Sequence, residues 1–206
     1  VPKLRRIGDL NLRMAFPQMG RDERTRLVPD SMLNLGRHMG EFSRFAAIPA
    51  EKLRRSIDCD GLEHIDAALS LGRGAIIVSA HLGAWEMISF AMSAFNYPFE
   101  FLVRRIENPA IERLIDALRT RFGNRTIDKR SAARFMLTTL RAGNLLGLMV
   151  DINVVRDKGI FVDFFGVPAC TTFIAAKLAL RTGAPMLPVF VPWDETRRRY
   201  VIRVSP

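Results

Sequence analysis

Apolar positions along the chain repeat with two different periods, and the change from one to the other divides it. Up to about residue 49 the spacing is helical. Leu4, Ile7, Leu10, Leu12 and Met14 stand among Arg5, Arg6 and Arg13, and Pro17 closes that segment, proline being unfavourable in a helix interior. Met32, Leu33, Leu35, Met39, Phe42 and Phe45 recur at roughly helical intervals, which predicts a second helix over residues 30–45. From Ser56 onward short apolar runs alternate with helical segments. Residues 56–60 read as a short strand, and 62–71 as a helix ended by Gly72 and Gly74. Residues 75–80 are one continuous apolar run, the mark of a strand buried on both faces of a parallel sheet. Helices are expected over 85–94, 110–121, 131–141 and 172–181, the last capped by Gly183. Strands are expected over 99–103, 145–150, 161–165 and 186–191, with the alternating run 200–204 as an outer strand. The fold class that follows is α/β: a mostly parallel central sheet flanked by helices, with an N-terminal helical segment. The expected organisation is a single domain over 1–206, with a helical part over 1–50 and an α/β core over 51–206.

Composition narrows the partners. Thirty-one Lys and Arg against twenty-one Asp and Glu leave a formal charge of +10, a surface that draws anions: phosphate groups, acidic proteins, anionic lipid or nucleic acid. Nucleic acid is disfavoured because the basic residues are not interleaved with aromatic ones as in stacking platforms. Cys59 and Cys170 are too few and too far apart for a disulfide framework, so both are read as small buried hydrophobes in a reducing compartment. No stretch approaches the ~20 apolar residues that cross a bilayer, and no signal peptide opens the chain. It begins on Val1 rather than Met and stops at Pro206 just after a strand-like run, so it is read as a piece of a longer protein.

Candidate chemistry concentrates at one strand end. Of three histidines, His38 and His64 fall in polar helical surroundings and are expected at the surface, whereas His81 directly follows the buried run. In open α/β sheets ligands gather at the carboxyl ends of strands. Glu86 comes five residues later. On one continuous helix the two would lie about 140° apart at ~100° per residue. A turn through Leu82, Gly83 and Ala84 would instead let Glu86 fold back toward His81, with Gly83 supplying the backbone freedom. The expected chemistry is a base with an orienter. A neutral imidazole takes a proton from a hydroxyl while a carboxylate on the other ring nitrogen fixes the tautomer. Gly-x-Ser-x-Gly is absent, so the pair would activate the acceptor directly. No second histidine stands at metal-ligand spacing, so neither a metal nor a cofactor is expected. A lone His followed by Glu is a weak signal by itself, and the bland reading is a structural pair.

The run Ser79-Ala80-His81-Leu82-Gly83-Ala84-Trp85-Glu86 resembles the His-x-x-x-x-Glu motif of the late acyltransferases of lipid A biosynthesis, a branch of the lysophospholipid and glycerol-phosphate acyltransferase superfamily. The common form carries Asn where Ala84 stands. Asn11-Leu12 through Phe16-Pro17, Arg104 with Asn108-Pro109, Val150-Asp151, Asp163-Phe164-Phe165-Gly166-Val167-Pro168 with Thr171-Thr172, and Gly183 to Val189 resemble further motifs in the same order. The resemblance implies transfer of a fatty acyl chain from an acyl thioester, acyl carrier protein or acyl-CoA, to a lipid hydroxyl. It implies His81 as general base and Glu86 as its orienter. Arg104 would neutralise a phosphate or the developing oxyanion, and Asp151 would bind substrate or hold Arg104. Gly166 and Thr171 would lie near substrate, although the bland reading of Thr171 and Thr172 is a cap on the following helix. The implied setting is the cytoplasmic face of a bacterial inner membrane. The family is longer, with an N-terminal membrane-spanning helix and a C-terminal extension. A lysophospholipid, an ornithine-type lipid or a phosphatidylinositol mannoside would be alternative acceptors. A basic membrane- or nucleic-acid-binding module is the non-enzymic alternative.

Overall fold

The computed structural model describes residues 2–128 and 132–206. In chain order the elements are α1 (Pro2–Ala15), α2 (Arg21–Ala47), α3 (Ala50–Leu53), β1 (Asp58–Asp60), α4 (Leu62–Ser70), β2 (Ala75–Ser79) and α5 (Met87–Ala94). There follow β3 (Phe99–Val103), α6 (Pro109–Thr120), β4 (Arg125–Asp128), α7 (Ala132–Arg141) and β5 (Leu145–Met149). The last are β6 (Gly159–Phe164), β7 (Val167–Thr172), α8 (Ile174–Thr182), β8 (Met186–Phe190), β9 (Trp193–Asp194) and β10 (Arg199–Val204). They form two compact units, Val1–Gly40 with Ile152–Phe173, and Glu41–Asp151 with Ile174–Pro206.

The second unit is an α/β layer built on a sheet of order β1-β10-β8-β2-β5-β3-β4, with β9 beside β10. β2 pairs in parallel with β5 and β8, and β3 with β5 and β4. Only β10 introduces antiparallel pairing, to β8 and β9. Side chains alternate across a strand, and that period sorts the core into two. Ala75, Ile77, Leu145, Leu187 and Val189 meet Phe45, Ile65 and Phe90, while Ile76, Leu146 and Leu148 meet Met136, Leu140 and Leu178. Gly147 keeps its place within β5 because the stacked rings of Phe99 and Phe101 lie over it, and a Cβ there would meet Phe99 at 2.5 Å.

In the first unit α1 rests on α2. Gly8 lets Val28 approach so closely that an added Cβ would meet its side chain at 3.1 Å, and Arg24 donates to Asp9 at 2.9 Å. β6 and β7 form an antiparallel hairpin in register from Gly159↔Thr172 to Phe164↔Val167.

Several expectations are corrected. The second helix begins at Arg21 rather than Asp30, because Asp22 and Glu23 in its first turn suit the helix dipole and Pro29 is carried inside it. His38 is fully buried rather than at the surface. It shares a helical stripe with Phe42 and Phe45, at four- and seven-residue spacing. The single strand expected over 161–165 is a hairpin, turned at Phe165 (φ 55°) and Gly166 (φ 72°). Two successive positive φ values make a type I′ turn, and phenylalanine is an unusual residue there. β10 is not the outermost strand, since β1 lies outside it in parallel register. β4 and β9 were not anticipated, being short and half polar. The helix expected over 131–141 is described from Ala132, and Ser131 lies outside the described residues.

Candidate active site

Two parallel strands that start level must end level. β2 and β5 pair with a constant offset, from Ala75↔Leu145 to Ser79↔Met149, and the Val150 N–H then donates to the Ser79 carbonyl at 3.0 Å. Two residues beyond each strand the same offset sets His81 opposite Asp151. The His81 backbone N–H donates to Asp151 Oδ2 at 2.9 Å, and the ring Nδ1 lies 3.0 Å from Oδ1 and 3.2 Å from Oδ2. A carboxylate only accepts, so the proton of the neutral ring sits on Nδ1 and the lone pair on Nε2. The imidazole is 42% exposed, open to a substrate hydroxyl. Trp85 meets the ring edge-on at 5.1 Å between centroids.

The turn after His81 is held by backbone. Gly83 has φ +63° and bridges to Val191 beyond β8, and the Ala84 N–H donates to the Val191 carbonyl at 2.9 Å. A Cβ on Gly83 would stand 1.9 Å from that carbonyl oxygen, so no larger residue fits the approach.

The carboxylate that meets the His81 ring is that of Asp151 rather than the expected Glu86. Glu86 immediately precedes α5, and its carboxylate accepts from Arg119 of α6, Nε to Oε2 at 3.1 Å, in a pair whose side chains are 14% and 17% exposed. The cause is topological. Asp151 is fixed beside His81 by the sheet, whereas Glu86 sits past the Gly83 turn at the start of a helix that packs toward α6. Among the described residues no ion pair joins Asp151 to Arg104. Arg104 follows β3 at the same edge of the sheet, is exposed, and makes no ion pair among the described residues. Its neighbour Arg105 is committed to structure, donating to Glu112 at 2.7 Å and Asp116 at 2.9 Å. The Arg105 hydrogen bond, and then the Ile106 N–H, hold the Glu112 carboxyl below the usual carboxylate range. Burial first, and then the charges of Asp60 and Glu63, push the Cys59 thiol up to about 12, so at neutral pH it is no thiolate nucleophile.

Gly166 and Thr171 belong to the other unit, on the β6–β7 hairpin. The Gly166 N–H donates to Asp163 Oδ1 at 3.0 Å, and the Thr171 hydroxyl to the Ala169 carbonyl at 3.3 Å. Within that unit a cavity of about 720 Å³ is bordered by Leu12 and Met14 of α1 and by Phe161, Phe164, Phe165 and Val167 of the hairpin. Such a volume lies in the usual range for small ligands, about 300–1,000 Å³, and its lining suits an apolar one. Among the described residues no cluster of three or more metal-ligating groups occurs, and no helix is long and apolar enough to cross a membrane.

Sequence reasoning missed Arg119, whose partner is thirty-three residues away and carries no local signal. For the pairing of Asp151 with His81 a signal was present. Both residues stand six places after the start of a buried run, Ala75 and Leu145.

Comparison with known proteins follows the same lines. Over 182 residues the chain is 32% identical to a phosphatidylinositol mannoside acyltransferase of Mycobacterium tuberculosis, covering 82% of this chain and 57% of that protein. It is 22% identical over 204 residues to a lipid A biosynthesis acyltransferase of Haemophilus influenzae, covering 99% and 64%. It is 23% identical over 202 residues to a lipid A biosynthesis myristoyltransferase of Escherichia coli, covering 98% and 62%. The chain thus spans less than two thirds of the length of each. The family model for bacterial lipid A biosynthesis acyltransferases matches residues 3–206, and the chain belongs to that family.

Proposed function

We propose that the chain carries the catalytic domain of an acyltransferase that moves a fatty acyl group from a thioester to a hydroxyl of a lipid acceptor, working at a membrane surface. The observation that carries this reading is the His81 ring held by Asp151 at the ends of two buried parallel strands. The acceptor hydroxyl gives its proton to Nε2 of His81 as its oxygen attacks the thioester carbonyl. The resulting imidazolium is stabilised by Asp151. When the tetrahedral intermediate collapses, the carbon–sulfur bond breaks and the imidazolium returns the proton to the departing thiolate. An ester and a free thiol result. Glu86, neutralised by Arg119, anchors the start of α5 and with it the turn that follows His81.

Arg104, exposed after β3 and without an ion pair among the described residues, suits the oxyanion or an acceptor phosphate. Arg104→Ala is expected to slow transfer by about 10²-fold, measured in steady state. An unchanged rate would remove Arg104 from the site. Gly166 and Thr171 sit on the hairpin that borders the apolar cavity, which would take the greasy part of a lipid. The +10 charge favours an acidic donor protein such as acyl carrier protein, with acyl-CoA as the other thioester. The peripheral setting, on the cytoplasmic face of a bacterial inner membrane, rests on the exposed apolar side of α1.

Two acceptors are favoured by the relatives' names: a lipid A precursor, and a phosphatidylinositol mannoside, the second by the 32% identity to the mycobacterial protein. The purified chain incubated with acyl carrier protein thioester and each lipid in turn should add one acyl mass to one of them by mass spectrometry. No mass gain on any lipid, from either thioester, would defeat the reading.

A further inference from the structure

Strands at a protein surface usually have one wet face and one dry one. β6 does not. Ile160, Phe161, Val162 and Phe164 are 56, 54, 38 and 61% exposed, so apolar side chains stand on both faces. Phe161 points to the face that borders the cavity. Ile160 and Val162 share the opposite face by the two-residue period and do not border the cavity, whereas Phe164 and Phe165, at the turn, are exposed and also border it. Phe165 at the turn is 52% exposed and stands edge-on to Phe164 at 4.7 Å and Phe16 at 5.2 Å. A two-stranded hairpin showing such a face is marginal in water, and contiguous apolar patches of this kind mark interaction sites.

Charge indicates what covers it. Arg156, which borders the cavity and lies 5.6 Å from the Phe161 ring centre, and Lys158 lie just before the hairpin, at the end opposite its turn. In the same unit α1 repeats the division. Leu4, Ile7, Leu10 and Met14 are exposed along one side of the helix, with Arg6 and Arg13 flanking them. Apolar side chains bordered by cations match the boundary of an anionic bilayer, where hydrocarbon and phosphate lie a few ångströms apart.

We propose that the β6–β7 hairpin is a membrane-docking element. It lies flat with Ile160 and Val162, and the exposed parts of Phe164 and Phe165, in the headgroup boundary of an anionic phospholipid bilayer, and with Arg156 and Lys158 among the phosphates. This rests on the reading of the protein as one that meets its lipid at a surface. Insertion is shallow, within about 5–10 Å. The Asp163 carboxylate and the outer edge of β6, unpaired among the described residues, would be costly in hydrocarbon. Asp163 already satisfies the Gly166 N–H at the turn, which removes one obstacle to entry.

The test uses the whole chain carrying Ile160→Thr and Val162→Thr together. Threonine keeps the β-branched shape that suits a strand and removes the apolar surface. Co-sedimentation with vesicles of phosphatidylcholine and phosphatidylglycerol should show binding by the unsubstituted chain, weaker on phosphatidylcholine alone and weaker in high salt. The double variant should bind the mixed vesicles about tenfold less tightly, while transfer to a detergent-dispersed acceptor persists. Equal binding would overturn the proposal. So would self-association of the parent chain that the double variant loses with vesicle binding unchanged, since the face would then join two copies. His81→Ala should lose transfer and keep vesicle binding, so failure of the catalytic reading is separable. Should the double variant not fold, Ile160→Trp serves. Its emission should shift to the blue on mixed vesicles and be quenched by brominated lipid. No shift beyond that of the parent chain would reject docking through this face.

Discussion

Replacing His81 by alanine is expected to slow acyl transfer by about 10²–10⁴-fold, the range a positioned general base contributes, and to leave the fold in place. The imidazole is too exposed to carry core packing, so a circular dichroism melt should be unchanged while the rate collapses. Asp151→Asn should fall close behind. The carboxylate accepts twice from His81, from the backbone N–H and from Nδ1. A carboxamide presents one oxygen and one NH₂ group, so when the oxygen keeps the backbone N–H at the Oδ2 position, the NH₂ takes the Oδ1 position nearest Nδ1. Whenever the ring turns its lone pair toward that NH₂, the proton moves to Nε2 and the base is lost. Because the two residues act as a unit, the double variant should be scarcely slower than His81→Ala alone. A His81→Ala protein that transfers at the full rate would sink the mechanism.

The second large effect is expected from Gly83→Ala. The backbone there has φ +63°, and the new Cβ would lie 1.9 Å from the Val191 carbonyl oxygen and 2.8 Å from its carbon. The left-handed conformation costs about 1–2 kcal/mol for an L side chain, and over-packing adds about 1–3 kcal/mol. At about 2–4 °C per kcal/mol for a chain of this size, the midpoint of thermal unfolding should drop by roughly 5–15 °C. Activity should fall as well at temperatures where the variant remains folded. The loop can relieve the clash only by giving up the Ala84–Val191 hydrogen bond, and that moves the segment between His81 and Glu86. An unchanged midpoint would mean that this loop is not fastened to Val191 in solution.

The sheet was legible because its central strands are short, mostly apolar runs of five or six residues, interrupted in β3 by Glu100. Ala75–Ser79, Phe99–Val103, Leu145–Met149 and Met186–Phe190 all lie within runs read from spacing alone. Arg125–Asp128 was invisible because its pairing to β3 is a property of the assembled layer, not of its four residues. The first turns of α2 lie before Pro29. A proline forfeits one hydrogen bond of a helix but does not end it when the turns on both sides are well made. At the candidate site, the location of His81 followed from a simple rule about strand ends. Its partner did not, because sequence distance favours Glu86, five residues away, over Asp151, seventy away. Closeness along a chain is a poor guide to closeness across a parallel sheet, where neighbouring strands are always separated by a long crossover.

The constant offset between β2 and β5 also bears on how such a protein can change. The pairing of His81 with Asp151 is dictated by main-chain ladders rather than by the side chains of any loop. One residue deleted from either strand would carry its partner about 3.3 Å along and turn it to the wrong side of the layer. Residues added to the crossover between the strands would leave the pair untouched. The His81–Asp151 pair is therefore insulated from variation in the connecting segments, which can change in length and sequence without disturbing it.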